Sequence, residues 1–68
     1  MFEIKLFGTP SMPSSDCSLA TEAIERAKRQ LQQMEYPAYA TVTDTATYQI
    51  IWTGSLRSDG TIGKRKDP

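Results

Sequence analysis

The chain contains no histidine and only one cysteine, Cys17, among its 68 residues. Histidine is the usual general base near neutral pH, and structural zinc sites need several cysteine or histidine ligands. A single cysteine cannot form a disulfide within the chain, which argues against a secreted, disulfide-stabilised scaffold. The sequence therefore predicts a protein that has no metal site and no cofactor and that is not an enzyme.

Net charge and long apolar runs are also missing. Eight Lys and Arg residues balance eight Asp and Glu residues, so no overall field attracts the chain to nucleic acid or to an anionic membrane. No apolar run approaches the ~20 residues of a membrane span. Residues 2–7 alternate apolar and polar side chains instead of forming a signal peptide. We expect a cytoplasmic protein with no membrane partner.

The length allows one domain with a small core. A hydrophobic core of this size contributes no more than ~3–5 kcal/mol to the free energy of unfolding, and self-association is one way to increase this stability. We expect residues 1–54 to form a single β-α-β-β domain. Residues 55–68 are expected to form either a short hairpin around Asp59-Gly60 or a flexible basic tail.

The pattern between residues 18 and 35 predicts a helix. Ser18 is the favoured N-cap, with Asp16 as the alternative. Pro37 cannot continue a helix, so we expect the helix to end near Glu35. Apolar residues recur three or four apart and form one stripe along the helix: Ala20, Ala23, Ile24, Ala27, Leu31 and Met34.

Three segments have the composition of strands. Residues 2–7 alternate, while residues 39–43 and 48–53 are rich in β-branched and aromatic side chains and flank a turn at 44–47. A strand–helix–strand connection crosses over in the right-handed sense, and the most apolar strand, 48–53, belongs at the centre. We expect an α+β fold with one helix packed on one face of a three-stranded sheet of order 1-3-2. The order 1-2-3 is the alternative.

The groups that could act in catalysis have structural explanations. Cys17 lies just before the helix, where the dipole can activate a thiol, but no histidine is present to assist it. Glu22 and Glu25 stand four residues before Arg26 and Arg29, which is the favoured order for ion pairs along a helix. We therefore assign no catalytic residue.

One face of the predicted sheet stays uncovered. The residues expected to face the helix are Phe2, Ile4, Leu6, Val42, Ile50 and Trp52. The opposite face then carries Lys5, Phe7, Tyr39, Thr41, Gln49, Ile51 and Thr53. Such an apolar surface usually marks an association site. If the side chains of the last strand alternate in the opposite sense, Ile51 faces the helix and Trp52 lies on the uncovered face. The predicted protein-binding residues are therefore Phe7, Tyr39, Thr41, Ile51 and Trp52.

Basic residues suggest a second, different surface. Arg26, Lys28 and Arg29 lie on the helix, and Lys64, Arg65 and Lys66 lie near the end of the chain. Each contact between such a residue and a phosphate would add salt-dependent affinity for nucleic acid. Nucleic acid is the alternative partner.

The chain resembles small uncharacterised bacterial and bacteriophage β-α-β-β proteins. The resemblance covers about residues 18–54 and includes Ala20-Thr21-Glu22-Ala23-Ile24, then Ala40-Thr41-Val42-Thr43-Asp44 and Ile50-Ile51-Trp52-Thr53-Gly54. It implies a chain encoded by a phage or mobile element. Small proteins of that kind, including anti-CRISPR proteins and inhibitors of host polymerases, block a surface of a host protein.

Three functional hypotheses follow. The leading one is a non-enzymatic protein-binding module that inhibits or modulates a host protein complex through the open sheet face. The second is a nucleic-acid-associated accessory protein that uses the basic residues. The third is a homo-oligomeric structural protein, such as a homodimer, whose sheet face is covered by self-association.

Overall fold

A computed structural model of the chain describes residues 1–9 and 12–63. Within these ranges it has one helix and five strands. The sheet is antiparallel throughout, in the order β2-β1-β3-β4-β5. The bounds of the elements are β1 (Phe2–Thr9), β2 (Ser15–Cys17), α1 (Ala20–Leu31), β3 (Glu35–Asp44), β4 (Gln49–Leu56) and β5 (Ile62–Gly63).

The α+β class with a single helix agrees with the sequence, but the prediction of a three-stranded sheet of order 1-3-2 was wrong. Residues 15–17, for which no strand was predicted, form β2 and pair with Phe2, Glu3 and Ile4 of β1. This hairpin reverses the chain before the helix begins. The helix then returns the chain to the far end of β1, where Thr9 pairs with Glu35, and β3 runs antiparallel beside β1. The connection therefore joins antiparallel strands, and the right-handed parallel crossover does not apply.

The core lies between α1 and one face of the sheet. Side chains of the helix stripe pack against alternate residues of β1, β3 and β4, because successive strand residues point to opposite faces. Ile4, Leu31 and Val42 are its largest fully buried side chains. The other buried apolar residues are Leu6, Cys17, Ala23, Ala27, Met34, Ala38, Ala40 and Leu56.

The ends of the helix differ from the prediction. The N-cap position is Leu19, with no side-chain cap hydrogen bond, so neither Ser18 nor Asp16 caps the helix. The helix ends at Leu31 instead of near Glu35, and a tight turn follows in which the Met34 N–H donates to the Leu31 carbonyl at 3.1 Å. Pairing of Glu35 with β1 determines where β3 begins.

A turn at Asp59-Gly60 joins β4 to β5. The Asp59 carboxylate accepts hydrogen bonds from the Thr61 hydroxyl at 2.7 Å and from the Thr61 N–H at 3.0 Å. These bonds, helped by the charge of Arg57, lower the pKa of Asp59 from its ordinary value of 3.8. β5 pairs with Ser55 and Leu56. Within the segment 55–68, residues 64–68, which include the basic residues of the expected tail, lie outside the described residues.

Candidate functional site

The candidate site is the outer face, which we define as the side of the sheet opposite α1. No other described element covers it, since the helix packs on the inner side. Strand register arranges its central residues in three parallel rows across β1, β3 and β4. The rows are Phe7–Tyr39–Ser55, Lys5–Thr41–Thr53 and Glu3–Thr43–Ile50.

The first row contains an aromatic cluster, Phe7 and Tyr39. Their rings stack with centroids 4.5 Å apart and planes inclined by 17°. Phe7 is 39% exposed, and Tyr39 is half-buried. Offset stacking of two rings is a favourable geometry, so the cluster presents a fixed, flat apolar surface at one end of the outer face.

A β-bulge places a second apolar cluster at the other end. Along β4 the register passes from Val42↔Trp52 to Thr43↔Ile50, which leaves Ile51 as an extra residue. Ile50 pairs with the outward residue Thr43, and Ile51 directly precedes the inward residue Trp52, so both isoleucines lie on the outer face. Ile50 is 60% exposed and Ile51 is 41% exposed. The prediction that Ile50 faces the helix was wrong, and Ile50 with Ile51 forms what we call the isoleucine cluster.

Trp52 lies on the inner side. It pairs with Val42, is half-buried and packs against the core. The alternative parity, with Trp52 outside and Ile51 inside, is therefore wrong. Of the predicted protein-binding residues, the structure places Phe7, Tyr39, Thr41 and Ile51 on the outer face; Trp52 is not there.

The middle row separates the two apolar clusters. Thr41 is only 8% exposed although it lies on the uncovered face, because its neighbours on three strands surround it. Phe7 and Glu3 mark the two outer rows on β1, and four residues of extended chain correspond to ~13 Å. The predicted apolar surface is thus two clusters, with the polar row Lys5–Thr41–Thr53 between them.

The outer face also carries charged side chains of both signs, namely Glu3 and Lys5 on β1 and Asp16 on β2, which pairs with Glu3. Lys5 Nζ lies 3.8 Å from Glu3 Oε1, and both side chains remain partly exposed. Tyr48, which precedes β4 with a left-handed backbone (φ 58°), is 85% exposed and lies two residues before Ile50 in the sequence. The sequence analysis missed Ile50 and Tyr48. Two adjacent isoleucines break the alternation of a regular strand, which was the available signal for a bulge.

The basic residues on the helix do not form a uniform positive surface. Arg26 and Arg29 are exposed, but they line a shallow depression of about 280 Å³ together with Glu22 and Glu25. The closest ion pair here is Lys28–Glu25 at 3.9 Å; the expected Glu22–Arg26 and Glu25–Arg29 pairs are not formed in this part of the chain. Lys64, Arg65 and Lys66 lie outside the described residues.

Cys17 belongs to the core. It lies in β2, is 6% exposed, and its thiol donates a 3.5 Å hydrogen bond to the Glu22 carboxylate. Among the described residues, no group of three His, Cys, Asp or Glu residues could hold a metal ion. No helix in the described part of the chain is long and apolar enough to span a bilayer.

Comparison of the chain with protein families, curated proteins and solved structures found no match. The resemblance to small bacterial and bacteriophage proteins therefore remains a prediction from the sequence.

Proposed function

We propose that the chain is a non-enzymatic protein-binding module and that its binding surface is the outer face of the sheet. The observation that supports this most is the β-bulge, which places Ile50 and Ile51 together on the face that α1 leaves uncovered. A regular strand would turn one of them towards the core. Large aliphatic side chains grouped on an open face are typical of association sites.

The shape of the surface favours a protein over a small ligand. A small-molecule site is a concave pocket that surrounds its ligand, whereas the outer face is a sheet surface whose apolar clusters lie in rows ~13 Å apart. A partner that contacts both clusters must be broad enough to span the middle row. Covering apolar area contributes ~25 cal/mol for each Å² removed from water, so the two clusters supply the main driving force.

The class of partner follows from the resemblance. A phage or mobile-element protein of this size would bind a host protein or protein complex in the cytosol and block one of its surfaces. The module would then act as an inhibitor or modulator, and the outer face would compete with a natural partner of the host protein.

A pull-down from host lysate, split into nuclease-treated and untreated halves, tests this function. We expect a discrete protein that is retained after nuclease treatment. Changing both Ile50→Ser and Ile51→Ser should abolish its capture. Leu19→Ser is the matched control, because Leu19 is 56% exposed but lies at the start of the helix.

Two results would contradict the proposal. Capture that persists in the double isoleucine variant would show that the partner binds elsewhere. Capture that disappears with nuclease would favour nucleic acid and the basic residues instead. Circular dichroism of each variant establishes that the fold is retained.

A further inference from the structure

The turn between β4 and β5 contains the one aspartate of the sequence that is followed by glycine, Asp59. Glycine has no side chain to hinder its peptide nitrogen, so a neighbouring carboxyl carbon can approach that nitrogen closely. Asp59, Gly60 and Thr61 are all exposed, and water therefore has access to the whole turn. An aspartyl carboxyl group next to an unhindered peptide nitrogen is the arrangement from which a cyclic imide forms.

Hydrogen bonds close this turn and hold β5 in place. Asp59 Oδ1 accepts from the Thr61 hydroxyl at 2.7 Å and from the Thr61 N–H at 3.0 Å. The Gly60 N–H donates to the Arg57 carbonyl at 2.9 Å, and the Arg57 N–H donates to the Thr61 carbonyl at 2.7 Å. Because β5 is only two residues long, these bonds supply much of what keeps it paired with β4.

The chemistry available to Asp59 and Gly60 needs no reagent but water. The Gly60 nitrogen attacks the protonated carboxyl group of Asp59, a nitrogen–carbon bond forms, and the amide proton leaves with the carboxyl hydroxyl as water. The product is a succinimide ring. One water then adds back: cleavage of the new bond restores aspartate, whereas cleavage of the original peptide bond leaves an isoaspartyl link. Nothing is oxidised or reduced in either step.

Both products lose the hydrogen bonds that shape the turn. The succinimide nitrogen has no proton to donate to the Arg57 carbonyl, and no carboxylate remains to accept from Thr61. In the isoaspartyl link the main chain is longer by one carbon, which changes the separation that the turn fixes between Arg57 and Thr61. Ile62 of β5 packs against the core beside the buried Leu56, so conversion of the turn disturbs an edge of the core.

The Thr61 hydroxyl restrains this reaction while the turn is closed. A carboxylate is a weaker electrophile than a carboxylic acid, and the hydrogen bonds from Thr61 favour the carboxylate by lowering the pKa of Asp59. Asp44 provides an internal comparison. Its Oδ1 accepts from the Ala46 N–H at 2.9 Å in the same manner, but the residue that follows is Thr45, whose branched side chain hinders the nitrogen.

We propose that Asp59–Gly60 is a site of spontaneous covalent modification, at which succinimide closure and hydrolysis to an isoaspartyl link detach β5 from β4. The modified form accumulates with the age of the molecule, and the Thr61 hydroxyl determines how fast. This inference is independent of the proposed function, because none of its residues belongs to the rows of the outer face.

Peptide mapping of the full chain after weeks at physiological temperature and pH tests the site, with electron-transfer dissociation to distinguish isoaspartate from aspartate. We expect isoaspartate at residue 59 and unchanged aspartate at residue 44. Absence of isoaspartate at residue 59, or equal conversion of both residues, overturns the proposal.

Two variants test the chemistry of the turn. Thr61→Val keeps the shape of the side chain but removes the hydroxyl, so conversion should be ~10-fold faster, the factor expected for the loss of one hydrogen bond to a charged group. Asp59→Glu keeps the charge but disfavours ring closure, and it should stay unmodified. An unchanged rate in Thr61→Val would overturn the restraint by the hydroxyl.

Hydrogen exchange tests the detachment of β5. The Arg57 amide, which donates to the Thr61 carbonyl, should lose its protection in the isoaspartyl form purified by ion exchange. The Ala23 amide, which donates to the Leu19 carbonyl in the helix, should exchange as in the native chain. An isoaspartyl form that keeps the protection of Arg57 shows that β5 stays paired and refutes its detachment.

Discussion

The indole of Trp52 lies over the backbone of Gly54, in the space that a side chain at residue 54 would occupy. Both residues are on the inner side of β4, where Gly54 pairs with Ala40 and is buried. The absence of a side chain at residue 54 thus allows the ring to lie flat along its own strand and to close one side of the core.

Gly54→Ala should therefore destabilise the fold, because the new methyl group overlaps the indole and forces it away from the core. We expect a loss of ~1–3 kcal/mol, the usual cost of overpacking, measured by urea unfolding. Combining the change with Trp52→Val should remove most of this loss in a double-mutant cycle. If Gly54→Ala costs as much in the Trp52→Val background as in the native chain, the indole is not the cause of the loss.

A single core truncation should unfold much of the population. Leu31 is fully buried beneath the sheet, and Leu→Ala in a core costs ~2–5 kcal/mol. This equals most of the ~3–5 kcal/mol expected for a core of this size. Far-ultraviolet circular dichroism at 25 °C should show substantial loss of structure in Leu31→Ala. The matched change Ile50→Ala removes an exposed side chain and should shift the urea midpoint little; equal effects would contradict the assigned burial.

The turn between β4 and β5 should respond to acid. Hydrogen bonds from Thr61 lower the pKa of Asp59 below 3.8, so the carboxylate supports the turn at pH values above that number. This support is lost as the pH falls through the lowered pKa. In an NMR titration, the Thr61 amide should shift with a midpoint below 3.8. Asp59→Asn should abolish the shift, and a midpoint at or above 3.8 would refute the hydrogen-bonded turn.

Cys17 should react slowly in the folded protein. Its side chain is 6% exposed, and disulfide reagents attack only accessible sulfur. Labelling with a coloured disulfide reagent should be slow in buffer and complete in denaturant. Rapid labelling of the native chain would indicate that β2 separates readily from β1 and would revive the hypothesis of a reactive thiol.

Local patterns predicted the helix and the main strands. The stripe from Ala20 to Leu31 has the periodicity of an amphipathic helix, and residues 2–7 alternate as a half-buried strand does. Both periodicities arise because one face of the element is buried, so they can be recognised in the sequence alone. The end of the helix was misplaced because the pairing of Glu35 with Thr9 depends on a strand distant in sequence.

The strand order and the outer face were harder to predict. Ser15-Asp16-Cys17 has no strand composition, and only pairing with Phe2–Ile4 makes it a strand. Missing this hairpin reversed the expected direction of the chain and led to the wrong order. The apolar character of the outer face was anticipated from Phe7, Tyr39 and Ile51. Its division into two clusters depends on the bulge, a register change that alternation in a single strand does not reveal.

The bulge in β4 separates the requirements of folding from the composition of the outer face. Because Ile51 is the extra residue, its deletion would leave Trp52 opposite Val42 and Ile50 opposite Thr43, with the core and the ladder intact. The outer face would lose one isoleucine and nothing else. The strand thus has a site where a one-codon deletion or insertion can change the outer face, while the side chains that form the core keep their places.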